Sequence, residues 1–302
     1  MNIVDLESFL AVVDCGSIVA AAARLHITQS AISRRIQNLE DSLGVSLLDR
    51  QTRPLQLTPA GKAMYENARP VLASVDDLKS AVVHDGEPSG TFRFGIARGL
   101  GDGALTRPIE ALRREFPLLR LQAYSQWSEP LLDRLRSRSI DAAAILLSSG
   151  EVPPVTLDSE YIGKQSFVIV CQKTSSRTKT TTLEELSSCA WVLSPDGCSI
   201  RCAVESALLH RGLPFEIGVE AEGKELQLSL VAQGVGLGIV PTHVFHSSSY
   251  RRQLSVLRPK DFEPVQDLWL VFSKHIGRRA KVVQALGNIL LKVSSQNTAS
   301  DR

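Results

Sequence analysis

Excess charge of either sign is missing from this 302-residue chain: 34 Lys and Arg stand against 32 Asp and Glu, a formal charge of +2. A balance so near neutral excludes wholesale electrostatic adhesion to nucleic acid or anionic membrane, so any such contact must come from local clustering. A disulfide framework is missing too. The five cysteines (Cys15, Cys171, Cys189, Cys198 and Cys202) are odd in number and irregular in spacing, as expected of reduced thiols in a cytosol. The opening Met-Asn-Ile-Val-Asp-Leu-Glu has neither a basic n-region nor an apolar h-region, so no export signal is expected. Residues 226–250 carry no Lys, Arg, Asp or Glu, yet Gln227, Gln233, three glycines and Pro241 interrupt them. A membrane span needs about 20 apolar residues, so this stretch reads as a buried segment. The expectation is a soluble cytoplasmic protein with no membrane partner.

Signatures of catalysis are also absent. There is no G-x-S-x-G, H-E-x-x-H, C-x-x-C or Walker A sequence, and Gly61-Lys62 is followed by Ala63. Gly234, Gly236 and Gly238 sit at a helix end before a strand, whereas a dinucleotide fingerprint follows a strand and opens a helix; they read as close-packing glycines. His243 and His246 have no Cys or acidic neighbour in sequence to complete a metal site. No catalytic residue, metal or cofactor is expected. What is present is an ordinary globular composition, 43% hydrophobic and 22% charged, long enough for one large domain or two of usual size.

The first sixty residues read as short helices. Leu6, Phe9, Leu10 and Val13 follow the i, i+3, i+4, i+7 pattern of one buried face. Gly16 and Ser17 punctuate, and an alanine-rich helix follows. Thr28 is placed to cap a third helix, in which Ile32, Ile36, Leu39 and Leu43 face inward. Ser30, Ser33, Arg34, Gln37 and Asp41 fall on the opposite side, with Gln29 in the first turn. Gln, Ser and Arg are side chains able to read base edges, and a helix, tight turn and polar second helix is helix-turn-helix geometry. Leu55 and Leu57 alternate as in a short strand, and the Arg-Pro tip suggests a wing from which Arg50 and Arg53 approach phosphate or minor groove. Five arginines against six acidic side chains leave this region slightly negative, so placement rather than net charge favours DNA.

Thr58-Pro59 is an N-cap followed by proline at the first helical position. From there Met64, Ala68, Val71, Val75, Leu78 and Val82 form a heptad seam, suited either to a second helix or to the helix's own domain. Pro70 inside it predicts a kink or strain. Residues 84–90 are turn-rich and read as a hinge.

Downstream, strands and helices alternate: strands near 92–97, 119–124, 140–147, 167–171, 191–194, 215–220 and 238–241, with helices between. Such alternation implies α/β architecture with a parallel sheet, and two successive units imply two lobes and a cleft. Ligands in open α/β sheets bind beyond the carboxyl ends of strands. Those ends are 98–100, 125–128, 147–148, 195–199 and 241–242. The ligand set expected there is Arg98, Gly99, Leu100, Ser125, Gln126, Ser128, Ser148, Asp196, Cys198, Ser199 and Pro241. Arg98 and the helix N-terminus at Ser199 suit an anion, so a small carboxylate or similar polar metabolite is expected.

The whole chain resembles a LysR-type transcriptional regulator. The resemblance rests on Phe9-Leu10-Ala11-Val12-Val13 with Gly16-Ser17, on Ala21-Ala22-Ala23-Arg24-Leu25, and above all on Thr28 through Ile36 with Leu39-Glu40. Leu57-Thr58-Pro59-Ala60-Gly61 and the run from Leu230 to Pro241 also match. Ser30 departs from the usual proline, and Ile18-Val19 from an aromatic–Thr type pair. The resemblance implies a winged helix-turn-helix over 1–58, a dimerising linker helix over 59–86, and an effector-binding domain over 87–302 of two Rossmann-like lobes, similar to a type 2 periplasmic binding protein. Lobe I would span about 90–161 and 267–295, lobe II about 162–266, with a double-crossover hinge as the cleft floor. It implies a DNA-contact set of Thr28, Gln29, Ser30, Ser33, Arg34, Arg35, Gln37, Arg50 and Arg53. It also implies promoter DNA, a small-molecule effector, a dimer or tetramer of the chain, and RNA polymerase as partners.

Two other readings stand beside this one. Cys198 and Cys202 lie i, i+4 at a helix N-terminus, where the dipole lowers a thiol pKa. Peroxide-sensing members of the family carry a reactive Cys in this loop; the equivalent position here is Ser199. The other is a small-molecule-binding α/β enzyme, for which no motif speaks.

Overall fold

Leu6, Phe9 and Leu10 recur at helical spacing because they line the inner face of α1 (Ile3–Cys15). The computed structural model describes residues 1–49, 55–82, 87–173, 180–274, 276–277 and 279–300. Gly16 closes α1 at φ 64°, a left-handed turn that costs glycine nothing, and α2 (Ile18–Leu25) follows. Ser17 occupies the N-cap position of α2 without a side-chain hydrogen bond. Thr28 caps α3 (Gln29–Leu43): its Oγ1 accepts from the Ala31 N–H at 3.2 Å. Ile32, Ile36 and Leu39 are buried as expected, but Leu43 is exposed. The helix ends immediately after it, at Gly44, so Leu43 has no turn beyond it to pack beneath. Glu40 is buried instead. Its Oε1 accepts from the N–H groups of Leu47 and Leu48 at 2.7 and 3.2 Å, fastening the end of α3 to the chain entering the wing.

The wing pairs β1 (Leu48–Asp49) with β2 (Gln56–Leu57) antiparallel. Arg50 and Arg53, expected at its tip, lie outside the described residues. Thr58 caps α4 (Pro59–Val82), accepting from the Gly61 N–H at 3.0 Å. The helix runs unbroken through Pro70. Its expected seam divides. Ala68 is buried and, with Met64, Tyr65 and Leu72, packs on the core of its own unit. Val71 and Leu78 are exposed and Val75 is half-buried. A heptad pattern reports only that a face is apolar: here Ala68 is taken up within its own unit, and Met64 packs partly on the same core. The side chain of Val82 is outside those described. Asp14 locks α1 to α4, accepting from Tyr65 Oη at 2.8 Å and from Arg69 Nη2 at 2.5 Å.

The chain divides into two compact units, Met1–Asp85 with Ser137–Ser139, and Gly86–Arg136 with Ile140–Arg302. In the second, β3 (Gly90–Ala97), α5 (Thr106–Glu115), β4 (Leu119–Gln126), α6 (Ser128–Arg136) and β5 (Ala142–Ser148) follow in turn. Then come β6 (Asp158–Gln172), β7 (Thr180–Thr181), α7 (Leu183–Ser187), β8 (Ala190–Leu193), α8 (Ser199–Leu209) and β9 (Glu216–Glu220). The chain closes with α9 (Lys224–Ala232), β10 (Leu237–Pro241), α10 (Thr242–Ser247), β11 (Leu254–Pro259), β12 (Val265–Phe272) and α11 (Arg279–Ser300). The sheet order is β4-β3-β5-β12-β6-β10-β8-β9, with β11 beside β6 and β7.

The sheet is mixed, not wholly parallel. Strands β3, β4 and β5 are parallel, as are β8, β9 and β10, but β12 runs antiparallel to β5 and β6, and β6 antiparallel to β10 and β11. The cause is the pair of crossing strands. The first part of β6, from Asp158 to Ser166, pairs with β12 in lobe I; its second part pairs with β10 and β11 in lobe II. At the crossing, the Phe167 N–H donates to the Pro264 carbonyl at 2.8 Å. The core of lobe I contains Phe92, Phe94, Leu146 and Leu270, with Val282, Leu286 and Leu290 of α11 among them; α8 contributes Ile200, Val204 and Leu208 beside Trp191. Gln227 of α9 is wholly buried, its Nε2 donating to the carbonyls of Val192 at 2.8 Å and Ile239 at 3.3 Å, so one amide staples β8 to β10. Among the described residues no helix is long and apolar enough to cross a membrane.

Candidate nucleic-acid interface and ligand cavity

Because Ile32, Ile36 and Leu39 occupy the core, the opposite side of α3 must face water. Thr28, Gln29, Ser30, Ser33, Arg34 and Gln37 are all exposed on it. Thr28 Oγ1 and Ser30 Oγ lie 3.0 Å apart, and Gln37 Nε2 donates to Asp41 Oδ1 at 2.8 Å across one helical turn. Arg34 extends a guanidinium fork of the kind that pairs with guanine. Arg35 is placed differently from the rest of the expected set. It is half-buried, and its Nη1 donates to Ser8 Oγ of α1 at 3.3 Å, so it braces α3 against α1.

In the second unit a cavity of about 280 Å³ opens between the lobes. Lobe I supplies Arg98, just past β3, with Ser125 and Trp127 at the end of β4; lobe II supplies Ser194 and Pro195 past β8, and Glu222, Gly223 and Lys224 past β9. The Arg98 guanidinium lies 5.5 Å from the centre of the Trp127 ring, a cation–π arrangement, and forms an ion pair with Glu222 that spans the lobes. Lys224 is buried, its Nζ donating to Ser194 Oγ at 2.9 Å and to Gln227 Oε1 at 3.4 Å. Trp127 is pressed against Gly197, where a Cβ would come within 2.9 Å of the indole.

Of the residues expected from strand ends, Arg98 and Ser125 line this cavity. The others are occupied elsewhere. Gly99, Leu100, Cys198 and Pro241 are buried, and a Cβ on Gly99 would meet Leu146 at 2.9 Å. Ser128 Oγ is committed to β5, donating to the Leu146 carbonyl at 2.9 Å and accepting from its N–H at 3.1 Å. Gln126 Oε1 accepts from Arg134 at 3.5 Å, and the Ser148 N–H donates to Glu151 at 3.0 Å. Asp196 is exposed and pairs with Arg201 at 2.7 Å. Ser199 Oγ donates to Gln266 Oε1 at 3.0 Å, while the buried Gln266 Nε2 has no hydrogen-bond acceptor among the described residues. Conversely, Ser194, Glu222, Gly223 and Lys224 were not anticipated. The strand-end rule applied to β9 points to residues 221–224, so that signal was available.

The two thiols sit in different surroundings, Cys198 buried and Cys202 exposed. Cys198 is 1% exposed, within the apolar core. Partial burial pushes the Cys202 thiol up from its ordinary value, with Cys198 and Glu205 adding to the shift, against a smaller opposing pull from Arg201. Among the described residues no cluster of three His, Cys, Asp or Glu could hold a metal.

Comparison with known proteins bears on both surfaces. Residues 3–62 match the family model for bacterial regulatory helix-turn-helix proteins of the lysR family, and residues 85–294 match that for the LysR substrate binding domain. The HTH-type transcriptional regulator BenM of Acinetobacter baylyi is 31% identical over 249 residues, 80% of each chain. Full-length OxyR from Pseudomonas aeruginosa, a cysteine variant, superposes with a TM-score of 0.77 at 20% identity over 96% of this chain and 94% of that one. Full-length CbnR in complex with its target DNA gives 0.63 at 24% identity, over 96% of this chain and all (100%) of that one. The two structural likenesses establish the fold; the family models and the BenM match establish kinship. The family is one of transcription regulators, not of enzymes. With an outward-facing polar recognition helix at one end and a two-lobed ligand-binding fold after it, the chain belongs to the LysR family and is a DNA-binding, effector-responsive transcriptional regulator.

Proposed function

We propose that Gln29, Ser30, Ser33, Arg34 and Gln37 read promoter base edges in the major groove, and that a small carboxylate in the Arg98 cavity switches the regulator. The observation carrying the first part is the division of α3 between a buried apolar side and an exposed side rich in Gln, Ser and Arg. One such helix contacts few base pairs, so useful affinity calls for paired copies. Val71, Val75 and Leu78 of α4 supply an apolar strip for a second chain. Thr28 orders the first turn, and Arg50 and Arg53 act at the wing as phosphate or minor-groove contacts. The regulator works in the cytoplasm beside RNA polymerase, with no catalytic step of its own.

The cavity chemistry supports an anionic effector. Arg98 and Lys224 bring two cations, Ser125 and Ser194 bring hydroxyls, and Trp127 offers a flat apolar wall. At about 280 Å³ the space suits a small molecule, near the lower end of ligand sites. Gln266 Nε2, on a side chain oriented by Ser199 Oγ through its Oε1, and the first turn of α8 offer further donors. Ligand binding across the lobes favours one arrangement of the hinge strands, and the oligomer responds by population shift. The test is direct. Fluorescence anisotropy at moderate salt should show preference for promoter fragments over random duplex, and thermal shift should show stabilisation by carboxylates that Arg98→Gln weakens. No duplex preference would defeat the first part; stabilisation only by neutral apolar compounds, indifferent to Arg98→Gln, would defeat the second.

A further inference from the structure

A second cavity, of about 590 Å³, lies in lobe II where the crossing strands meet. Its apolar walls are Phe167 and Val168 of β6, Val256 and Leu257 of β11, Phe245 of α10 and Phe262 in the chain leading to β12. Its polar lining includes Arg258, Lys260 and His246 against the single carboxylate of Glu263. Among the described residues Arg258 and Lys260 form no ion pair, and both are exposed. His246 stands edge-on to Phe245, ring centres 5.3 Å apart.

An apolar bed bordered by uncompensated cations selects a ligand with an apolar body and an anionic head. The volume is about twice that of the Arg98 cavity and within the usual range for small-molecule sites. The position adds a consequence. Ser166 and Val265 face each other across β6 and β12, and the Phe167 N–H donates to the Pro264 carbonyl, so the walls belong to both crossing strands.

We infer that this cavity is a second ligand site, for a small amphipathic carboxylate of aromatic or medium-chain type, separate from the Arg98 cavity. The head lies against Arg258 and Lys260, and the body among Phe167, Phe245 and Phe262. An occupant there braces the crossing strands from lobe II.

Titration calorimetry of the full chain with sodium octanoate tests it. One octanoate per chain should bind, with 1-octanol binding weaker by about tenfold, a difference of about 1.4 kcal/mol. Arg258→Gln with Lys260→Gln, which removes exposed charges and no ion pair, should weaken octanoate by about tenfold or more. Val256→Trp should fill the cavity and abolish binding, and Arg98→Gln should change nothing. The inference is overturned if octanoate does not bind, if the double variant binds it as well as the parent, or if Arg98→Gln is the change that removes binding. It is equally overturned if the double variant alters self-association in sedimentation while octanoate affinity stays the same, since the surface would then be a contact between copies.

Discussion

Gly61 and Gly287 both lie inside helices, α4 and α11, so replacing either with Ala should gain about 1 kcal/mol of helix propensity. Their surroundings reverse that expectation at one of them. A Cβ on Gly61 would stand 2.0 Å from the Leu47 carbonyl oxygen and 3.0 Å from Leu57 Cδ2. Leu47 cannot yield easily: its N–H is held by Glu40, and its carbonyl accepts from the Thr58 N–H at 3.1 Å. Overpacking of this kind costs roughly 1–3 kcal/mol or more, and a backbone clash falls at the upper end. The net for Gly61→Ala is a loss of about 2 kcal/mol, which lowers the midpoint of a domain this size by roughly 10 °C. On Gly287 the nearest atom is Glu160 Oε2 at 2.9 Å, the tip of a side chain that can swing aside. Gly287→Ala should therefore be neutral or stabilising by up to about 1 kcal/mol. Differential scanning calorimetry of the full chain separates the cases. An unchanged or raised transition for Gly61→Ala would refute the close approach of α4 to the chain before the wing.

Arg34→Ala should cost about 1–3 kcal/mol on specific duplex and much less on random duplex; equal losses on both would make Arg34 a phosphate contact. Glu222→Gln removes the internal counter-ion of Arg98, and since exposed pairs contribute only about 0.2–1 kcal/mol, carboxylates should bind up to about fivefold tighter in a thermal-shift titration. Weaker binding would mean that Glu222 serves the ligand rather than competing with it. Gln227→Leu strands two buried carbonyls and should destabilise the second unit by about 2–3 kcal/mol in urea unfolding; a change within error would remove the staple between β8 and β10. Partial desolvation first, then the charge of Asp267 and its hydrogen bond, hold the largely exposed Tyr161 phenol above its ordinary value. The native chain keeps that proton after the unfolded chain starts losing it, so stability should decline as pH rises past about 10, and Tyr161→Phe should flatten the decline.

Local spacing made the recognition helix legible, because Ile32, Ile36 and Leu39 repeat within one element and leave Ser33, Arg34 and Gln37 nowhere to go but outward. The same logic misplaced Leu43, whose burial depended on a further turn that Gly44 forbids. It left open whether Met64 and Ala68 face another chain or their own unit, since an apolar stripe does not say what it touches. The early half of β6 was missed because Asp158, Ser159 and Glu160 look like a polar loop; their backbones pair with β12 while their side chains stay at the surface or near it. Helix α11 carries Val282, Leu286 and Leu290 at helical spacing, a signal diluted by the polar tail after it. The cavity was half legible. Each strand end is local, but Arg98 and Glu222 are 124 positions apart, and no periodicity connects them.

The two strands that pass between the lobes carry a lesson for recombination. Since β6 pairs with β12 in lobe I and with β10 and β11 in lobe II, an exchange of lobe II alone between related regulators would have to splice through the hydrogen-bonded ladder inside β6, and again where the chain enters β12, without shifting either register. A one-residue slip at such a junction turns every side chain beyond it to the opposite side of the sheet. Hybrid regulators should therefore tolerate exchange of the entire segment after residue 86 far better than exchange of either lobe, and inherited sensor specificity should travel with that larger block.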